Sequence, residues 1–334
     1  MKQLQLGRTG PLTTRLGLGC MGMSNVYGPA DRTESIATIH AALEAGINLI
    51  DTGDFYDMGH NELLIAEALK DGRRDQALLS VKFGALRDPA GNFIGFDGRP
   101  VAVKTALAYT LKRLETDHVD IYRPARLDSD VPIEDTIGAI AEMVEAGHVR
   151  HIGLSEVGAD TIRRAAAVHP IVDLQIEYSL LSRGIEDEIL DTCRELGIAI
   201  TAYGVLSRGL LGGHWKPSTA AAGDYRVHSP RFQGENADRN LALGAALGRV
   251  AESRGMTTAQ AAIAWVAAQG EDIFPVIGAR RPDRLAEAIG GMEATLAPED
   301  LAAIERAVPK DAAAGARYAE AQMAHLDSEK RSGR

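Results

Sequence analysis

The chain has 334 residues, 45% of them hydrophobic and 25% charged, enough for one large barrel or two average domains. Its 46 acidic residues against 36 basic ones give a net charge of −10, which disfavours nucleic acid and requires any phosphate-bearing ligand to be held by a local basic cluster. No apolar run nears the ~20 residues that cross a bilayer, the opening Met1-Lys2-Gln3-Leu4-Gln5-Leu6 has no secretory apolar block, and Cys20 and Cys193 form no metal-ligand spacing, so a cytoplasmic protein without membrane or metal is expected.

Residues 1–14 read as a short hairpin around Gly7-Arg8-Thr9-Gly10, placed to plug the bottom of a barrel. Strands are predicted over 15–19, 48–52, 78–83, 119–122, 150–154, 172–177, 199–202 and 273–276, with helices over 34–44, 61–70, 104–114, 133–145, 185–195 and 258–268. Strands alternating with helices imply a parallel sheet with right-handed crossovers. Ala45-Gly46, Ala146-Gly147 and Leu196-Gly197 end helices at a residue able to take positive φ, just before an apolar strand. An open doubly wound sheet uses the same units but usually fewer strands. The expected fold is therefore an α/β (β/α)8 TIM barrel over about 15–290, in a single domain spanning 1–334. Three segments depart from the pattern: an insertion over 88–100, a Gly-, Ser- and His-rich loop over 204–239 of a length typical of lids, and a polar, alanine-rich tail over 311–334, helical or frayed.

Barrel active sites are built where the strands end. Strand two ends in Asp51-Thr52-Gly53-Asp54-Phe55-Tyr56 and strand three in Val81-Lys82-Phe83. A lysine at that depth needs a partner, and Asp51, expected level with it on the neighbouring strand, is the natural one. Tyr56 completes a proton-donor set: a phenol of ordinary pKa ~10 lowered by Lys82, with Asp51 keeping the ammonium charged and aimed. Such an acid suits protonation of an alkoxide as hydride reaches a carbonyl carbon.

The loop after strand seven, Gly204-Val205-Leu206-Ser207-Arg208-Gly209-Leu210-Leu211, offers flexible backbone amides to a pyrophosphate. After strand eight, Ile277-Gly278-Ala279-Arg280-Arg281-Pro282-Asp283-Arg284 and Glu287 form the basic cluster the acidic total demands. Arginines at a helix start favour an anion there, and their fork suits a 2′-phosphate, pointing to NADPH with NADH as the alternative. Lys216 is a weaker candidate for the same phosphate. Gly17-Leu18-Gly19-Cys20-Met21-Gly22 fits GxGxxG, but loop-like residues follow it. It is read as a strand end that brings Gly19, Cys20 and Met21 beside a cofactor, not as a Rossmann turn.

Asp51, Tyr56 and Lys82, in the contexts Leu49-Ile50-Asp51-Thr52 and Ser80-Val81-Lys82-Phe83, resemble the aldo-keto reductase active site, and the resemblance continues to the 280–287 segment. It implies NAD(P)H-dependent reduction of a small-molecule aldehyde or ketone, without metal or flavin. It also implies that Ser155 and Gln175 bind the carboxamide, that Tyr203 stacks on the nicotinamide, and that Glu287 and Ala288 lie near the adenine. The family often has Asn where Glu156 and Ala288 stand. It usually has a catalytic histidine in strand four, where this chain reads Val119-Asp120-Ile121-Tyr122-Arg123-Pro124-Ala125-Arg126. With Ala125 at the histidine position, the substrate is oriented by Tyr56, a water or another side chain, Arg123 and Arg126 being the candidates. Phe83, among other aromatics, is a candidate pocket-lining residue. Two other functions stay open: a nicotinamide-binding sensor, suggested by Ala125, and a Schiff-base lyase built on Lys82, which needs that lysine neutral. The oligomeric state is not legible.

Overall fold

Inward and outward residues alternate along each predicted strand, and closing eight such strands buries both faces. The computed structural model describes residues 2–216 and 224–330; Met1, residues 217–223 of the expected 204–239 loop and the last four residues of the expected tail lie outside it. Strands β1 (Gly17–Gly19), β2 (Leu49–Gly53), β3 (Leu78–Phe83), β4 (Val119–Pro124), β5 (Val149–Ser155), β6 (Ile171–Glu177), β7 (Ala199–Tyr203) and β8 (Ile273–Gly278) close in chain order into one parallel barrel. Helices α1 (Arg32–Glu44), α2 (His60–Ala68), α3 (Pro100–Leu114), α4 (Ile133–Glu145), α5 (Ala159–Val168) and α6 (Ile189–Leu196) cover the first six crossovers. The seventh carries α7 (Gly234–Glu252) and α8 (Thr258–Ala268), and α9 (Pro282–Glu293) and α10 (Pro298–Ala307) follow β8. This is the expected (β/α)8 barrel.

The helix-to-strand turns are built as their glycines require. Gly46 and Gly147 both sit at φ 82°, and the amides behind them, Ile47 and His148, donate to Ala42 and Met143 in six-residue closures that stop α1 and α4. At the bottom, Gln3–Gln5 pairs antiparallel with Leu12–Thr14, and the intervening Leu6 is fully buried against Leu49, Ile121, Val172, Ala199 and Phe274. The hairpin is the expected plug.

Three expectations change. The loop after β7 ends earlier than residue 239, because α7 begins at Gly234, and its described part is folded into short 3-10 turns at Ser207–Gly209, Tyr225–His228 and Pro230–Phe232. The 88–100 insertion is largely a β-hairpin, Ala85–Arg87 paired with Phe93–Phe96. The tail is docked rather than frayed: a short helix at Glu320–Met323 leads to Asp327, whose carboxylate accepts from Gly158 N (2.9 Å) and Thr161 Oγ1 (2.7 Å). It thereby caps α5, whose own N-cap residue, Gly158, has no side chain.

Candidate active site

The barrel interior is layered by residue type. Above the apolar plug layer lies a charged one, in which the fully buried Arg123 pairs with Asp173 (2.9 Å) and donates to Ser80 Oγ (3.0 Å), while Thr201 donates to Asp173 (2.6 Å). Ser80 in turn donates to Asp51 Oδ2 (2.9 Å). Arg123 therefore forms the floor beneath the site and, fully buried on these partners, does not serve as the substrate-orienting side chain expected of it.

Above that floor Asp51 gathers three donors. Lys82 Nζ reaches Oδ1 at 2.6 Å, and Gln175 Nε2 reaches Oδ2 at 2.7 Å beside the Ser80 bond. Lys82 is in register with Gly53 and Asp51 with Ser80, so the aspartate lies two residues below the lysine rather than level with it. The lysine reaches down to its partner. Burial pulls the Lys82 ammonium below its ordinary pKa, and Asp51 opposes that shift.

Tyr56, buried in the turn after β2, lies with its ring centroid 5.3 Å from Lys82 Nζ and edge-on to Phe55 at 4.9 Å. Burial raises its phenol well above the ordinary value and the Asp51 carboxylate pushes the same way. The expected lowering by Lys82 is not what this arrangement produces, because the lysine's charge is matched by Asp51 and desolvation is the larger effect. The consequence is a phenol that stays protonated at neutral pH, the form a proton donor needs.

Phe83 is corrected outright. Since Lys82 points inward, its neighbour points outward: Phe83 is fully buried and stacked on Tyr122 at 4.4 Å, and the Tyr122 hydroxyl meets Val103 of α3. It belongs to the packing between barrel and helices. Ala125 is held at the rim by a hydrogen bond from its backbone N–H to the Phe83 carbonyl (2.8 Å) and is almost wholly covered.

The next three strands carry the residues proposed for a cofactor. Ser155 and Gln175 are in register on β5 and β6, and Glu177 and Tyr203 on β6 and β7. Ser155 Oγ is buried with no hydrogen-bond partner, which marks a place where a ligand's polar group is needed. Gln175 still has its amide oxygen to offer after donating to Asp51. Tyr203 donates to Glu156 Oε1 at 2.7 Å, and its hydroxyl lies 2.8 Å from that of Tyr318.

The elements expected to bind phosphate follow β7 and β8. In the loop after β7, Ser207 (φ 46°), Arg208 (φ 56°) and Gly209 (φ 107°) turn the backbone sharply. Several amides expected for a pyrophosphate are engaged within the turn, Ser207 to Gly204, Gly209 to Leu206 and Leu210 to Ser207, which leaves fewer than the sequence suggested. Val205 is buried, while Gly204 and Leu206 are half-buried. At the start of α9, Arg281 pairs with Asp283 (2.9 Å) and Arg284 with Glu287 (3.1 Å) at the surface, and Arg284 also meets His214. The exposed Arg281–Asp283 pair is worth little and opens readily to a phosphate, whereas Arg284–Glu287 is partly buried. Lys216 is exposed. Gly19 and Met21 border the mouth half-buried, Gly278 is exposed, and Ile277 and Ala279 are buried beside it. Cys20 and Ala288 are closed off at 0% and 1% exposure, so neither offers a ligand surface in this conformation. The GxGxxG stretch ends in a 3-10 turn at Met21–Met23, as expected of a decoy. Taken together, the orphaned Ser155 hydroxyl, the Tyr203 ring and the α9 arginines fit a phosphorylated nicotinamide cofactor.

The sequence missed the tail's part in the site. Arg317 bridges Glu156 (2.9 Å) and Glu177 (3.4 Å), and Ser328 Oγ donates to Glu156 at 2.7 Å. Tyr318 lies under the Arg208 guanidinium at 4.4 Å from its ring centroid. The available signal was Glu156 itself, an acid where the resembling family often has an amide, and so a charge in need of a cation.

Comparison with known proteins agrees with this geometry. The family model described as "Aldo/keto reductase family" matches residues 15–309. "Probable aldo-keto reductase 1" of Glycine max is 40% identical over 319 residues, 95% of this chain and 92% of that protein. The glycerol dehydrogenase AKR11B4 of Gluconobacter oxydans superposes with a TM-score of 0.81 at 27% identity, covering 91% of this chain and 94% of the other. The aldo-keto reductase AKR11C1 of Bacillus halodurans gives 0.77 at 28% identity, covering 95% and 98%.

Proposed function

The chain belongs to the aldo/keto reductase family of carbonyl-reducing oxidoreductases, and on that premise we propose that it reduces an aldehyde or ketone to the alcohol with NADPH, Tyr56 being the proton donor. The observation that carries this reading is the Asp51–Lys82 pair at 2.6 Å with the Tyr56 ring 5.3 Å from the ammonium.

A bound nicotinamide supplies the hydride. Ser155 and Gln175 would hold the carboxamide, the Tyr203 ring would stack on the nicotinamide, and Arg281 and Arg284 would take the 2′-phosphate. Tyr56 donates a hydrogen bond to the carbonyl oxygen and gives up its proton as negative charge develops there. Lys82 stabilises the phenolate that remains, and Asp51 keeps Lys82 charged and positioned. The Schiff-base alternative is disfavoured because a lysine hydrogen-bonded to a carboxylate at 2.6 Å is a poor nucleophile. The whole chain, 1–334, works as one barrel domain.

The test is NADPH oxidation over a panel of aldehydes and ketones for the wild type and Tyr56→Phe. A loss of about 10²-fold or more in kcat, with NADPH binding retained, is the expected result. Equal turnover in the variant removes Tyr56 as the acid. Cofactor binding without turnover of any carbonyl moves the assignment to a nicotinamide-binding sensor, the reading that Ala125 favours.

A further inference from the structure

The substrate side of the site carries a cation that no carboxylate of the described residues contacts, although Glu156 acts on it from beyond ion-pair distance; the inference built on it rests on the reductase reading above. Arg126 directly follows Ala125 at the end of β4. Its Nη1 donates to the Ala125 carbonyl at 2.6 Å and its Nη2 to the Tyr318 hydroxyl at 3.4 Å, and among the described residues no carboxylate reaches it within ion-pair distance. Its neighbours are treated differently. Arg123 ends on Asp173, Arg208 and Arg231 on Glu177, Arg226 on Asp224, and Arg317 on Glu156. Arg280 also lacks a carboxylate, but it donates to the Gly28 and Pro29 carbonyls near the α9 end of the face, where cofactor phosphates are expected.

A guanidinium keeps its charge at every working pH, and holding one half-buried with only neutral groups in contact is costly, the Glu156 charge offsetting that only from a distance. Here the arrangement is oriented. Tyr203 gives its proton to Glu156, so Tyr318 must be the donor to Tyr203, and its oxygen is thereby turned to accept from Arg126. Among the described residues Arg126 Nε has no hydrogen-bond partner, and the residue is only half-buried. Arg126 adjoins the chemistry through its neighbour Ala125, whose amide donates to the carbonyl of Phe83, the residue after Lys82, and its charge opposes the rise in the Tyr56 pKa.

We propose that Arg126, oriented by Tyr318, binds a carboxylate on the substrate, so that the enzyme acts on oxo acids and carboxylated aldehydes whose reacting carbonyl sits at Tyr56. The carboxylate makes and breaks no bond. The carbonyl carbon gains hydride from NADPH, the carbonyl oxygen gains the Tyr56 proton, and a hydroxy acid leaves with NADP+.

Matched substrates test this: succinic semialdehyde against butanal and 4-carboxybenzaldehyde against benzaldehyde, in the wild type, Arg126→Gln and Arg126→Lys, with calorimetric titration of benzoate into the NADPH-loaded proteins. The wild type is expected to favour at least one carboxylated partner in kcat/KM. In Arg126→Gln that preference and the benzoate affinity both fall about 10- to 100-fold, the worth of a charge-assisted hydrogen bond, and Arg126→Lys recovers part of each. No preference in the wild type, equal loss for both members of each pair, or benzoate binding that ignores the substitution overturns the proposal. Failure of every aldehyde to turn over overturns the reductase reading instead, and the benzoate titration then still decides whether Arg126 holds a carboxylate.

Discussion

Arg317 closes on Glu156 with both terminal nitrogens, Nη2 to Oε2 at 2.9 Å and Nη1 to Oε1 at 3.1 Å, and so fastens the C-terminal segment to the end of β5. The same guanidinium reaches Glu177 and Glu329, making one cation the counter-charge for carboxylates on two barrel strands and on the tail itself. The wall proposed to receive the cofactor thus depends on a residue far along the chain from either strand.

Arg317→Ala leaves Glu156 and Glu177 buried with less compensation and is expected to lower the unfolding free energy by about 3–5 kcal/mol at pH 7. Burial raises the Glu156 pKa, but Arg317 outweighs it and holds the carboxyl well below its usual range. A depressed folded-state value contributes stability that is full above the unfolded value of about 4.3 and fades as pH falls toward the folded one. The gap between wild type and variant should therefore be widest near neutrality and shrink below about pH 4. Chemical denaturation at pH 7 and pH 3.5 checks this, and a gap that does not change with pH counts against it.

Asp54 is titrated the other way. Burial, and then the neighbouring Glu62, push its carboxyl up to about 7 despite Arg113. A raised folded-state value favours folding while the group is protonated, and that contribution is lost as pH rises through about 7. Asp54→Asn removes the titration and keeps the Asp54 backbone bond to the Lys82 carbonyl. Melting temperatures between about pH 4.5 and 7, inside the window set by an unfolded value of ~3.9 and a folded one of about 7, should fall less steeply for the variant than for the wild type, with no further divergence above it. Parallel curves would show that Asp54 is ionised throughout.

Asp51 and Lys82 should behave as one unit. Asp51→Asn and Lys82→Met each strand a buried charge, so each alone is expected to cost most of what the double variant costs, with a coupling of about 1–3 kcal/mol in stability. In kcat/KM each single variant should lose about 10²-fold or more. Additive losses would mean that the two residues act separately.

How much of this is readable from residues alone depends on how local the cause is. Lys82 and Asp51 announce themselves because an apolar strand leaves a lysine no other place to put its charge. Phe83 misleads because it belongs to the same short segment, and only the inside–outside alternation along β3 separates a site residue from a packing residue. The barrel strands are legible from period and glycine punctuation, whereas α7 hides in a stretch opened by polar residues. The tail is illegible for a different reason: Arg317 and Tyr318 lie in a segment of no strong periodicity, and their partners, Glu156 and Tyr203, are more than a hundred residues away. Tyr56 was found by its place after β2, but its pKa direction follows from burial, which sequence does not report.

The hairpin that plugs the barrel floor and the tail that fastens at its mouth put the first and last described segments at opposite poles. A purification handle or fluorophore joined ahead of Lys2 would hang a full barrel's length from the chemistry, while one joined after Lys330 would sit at the doorway. Surface tethering through the leading end would leave that doorway facing bulk solution. A circular permutant joining the two ends would need a linker long enough to run the outside height of the barrel.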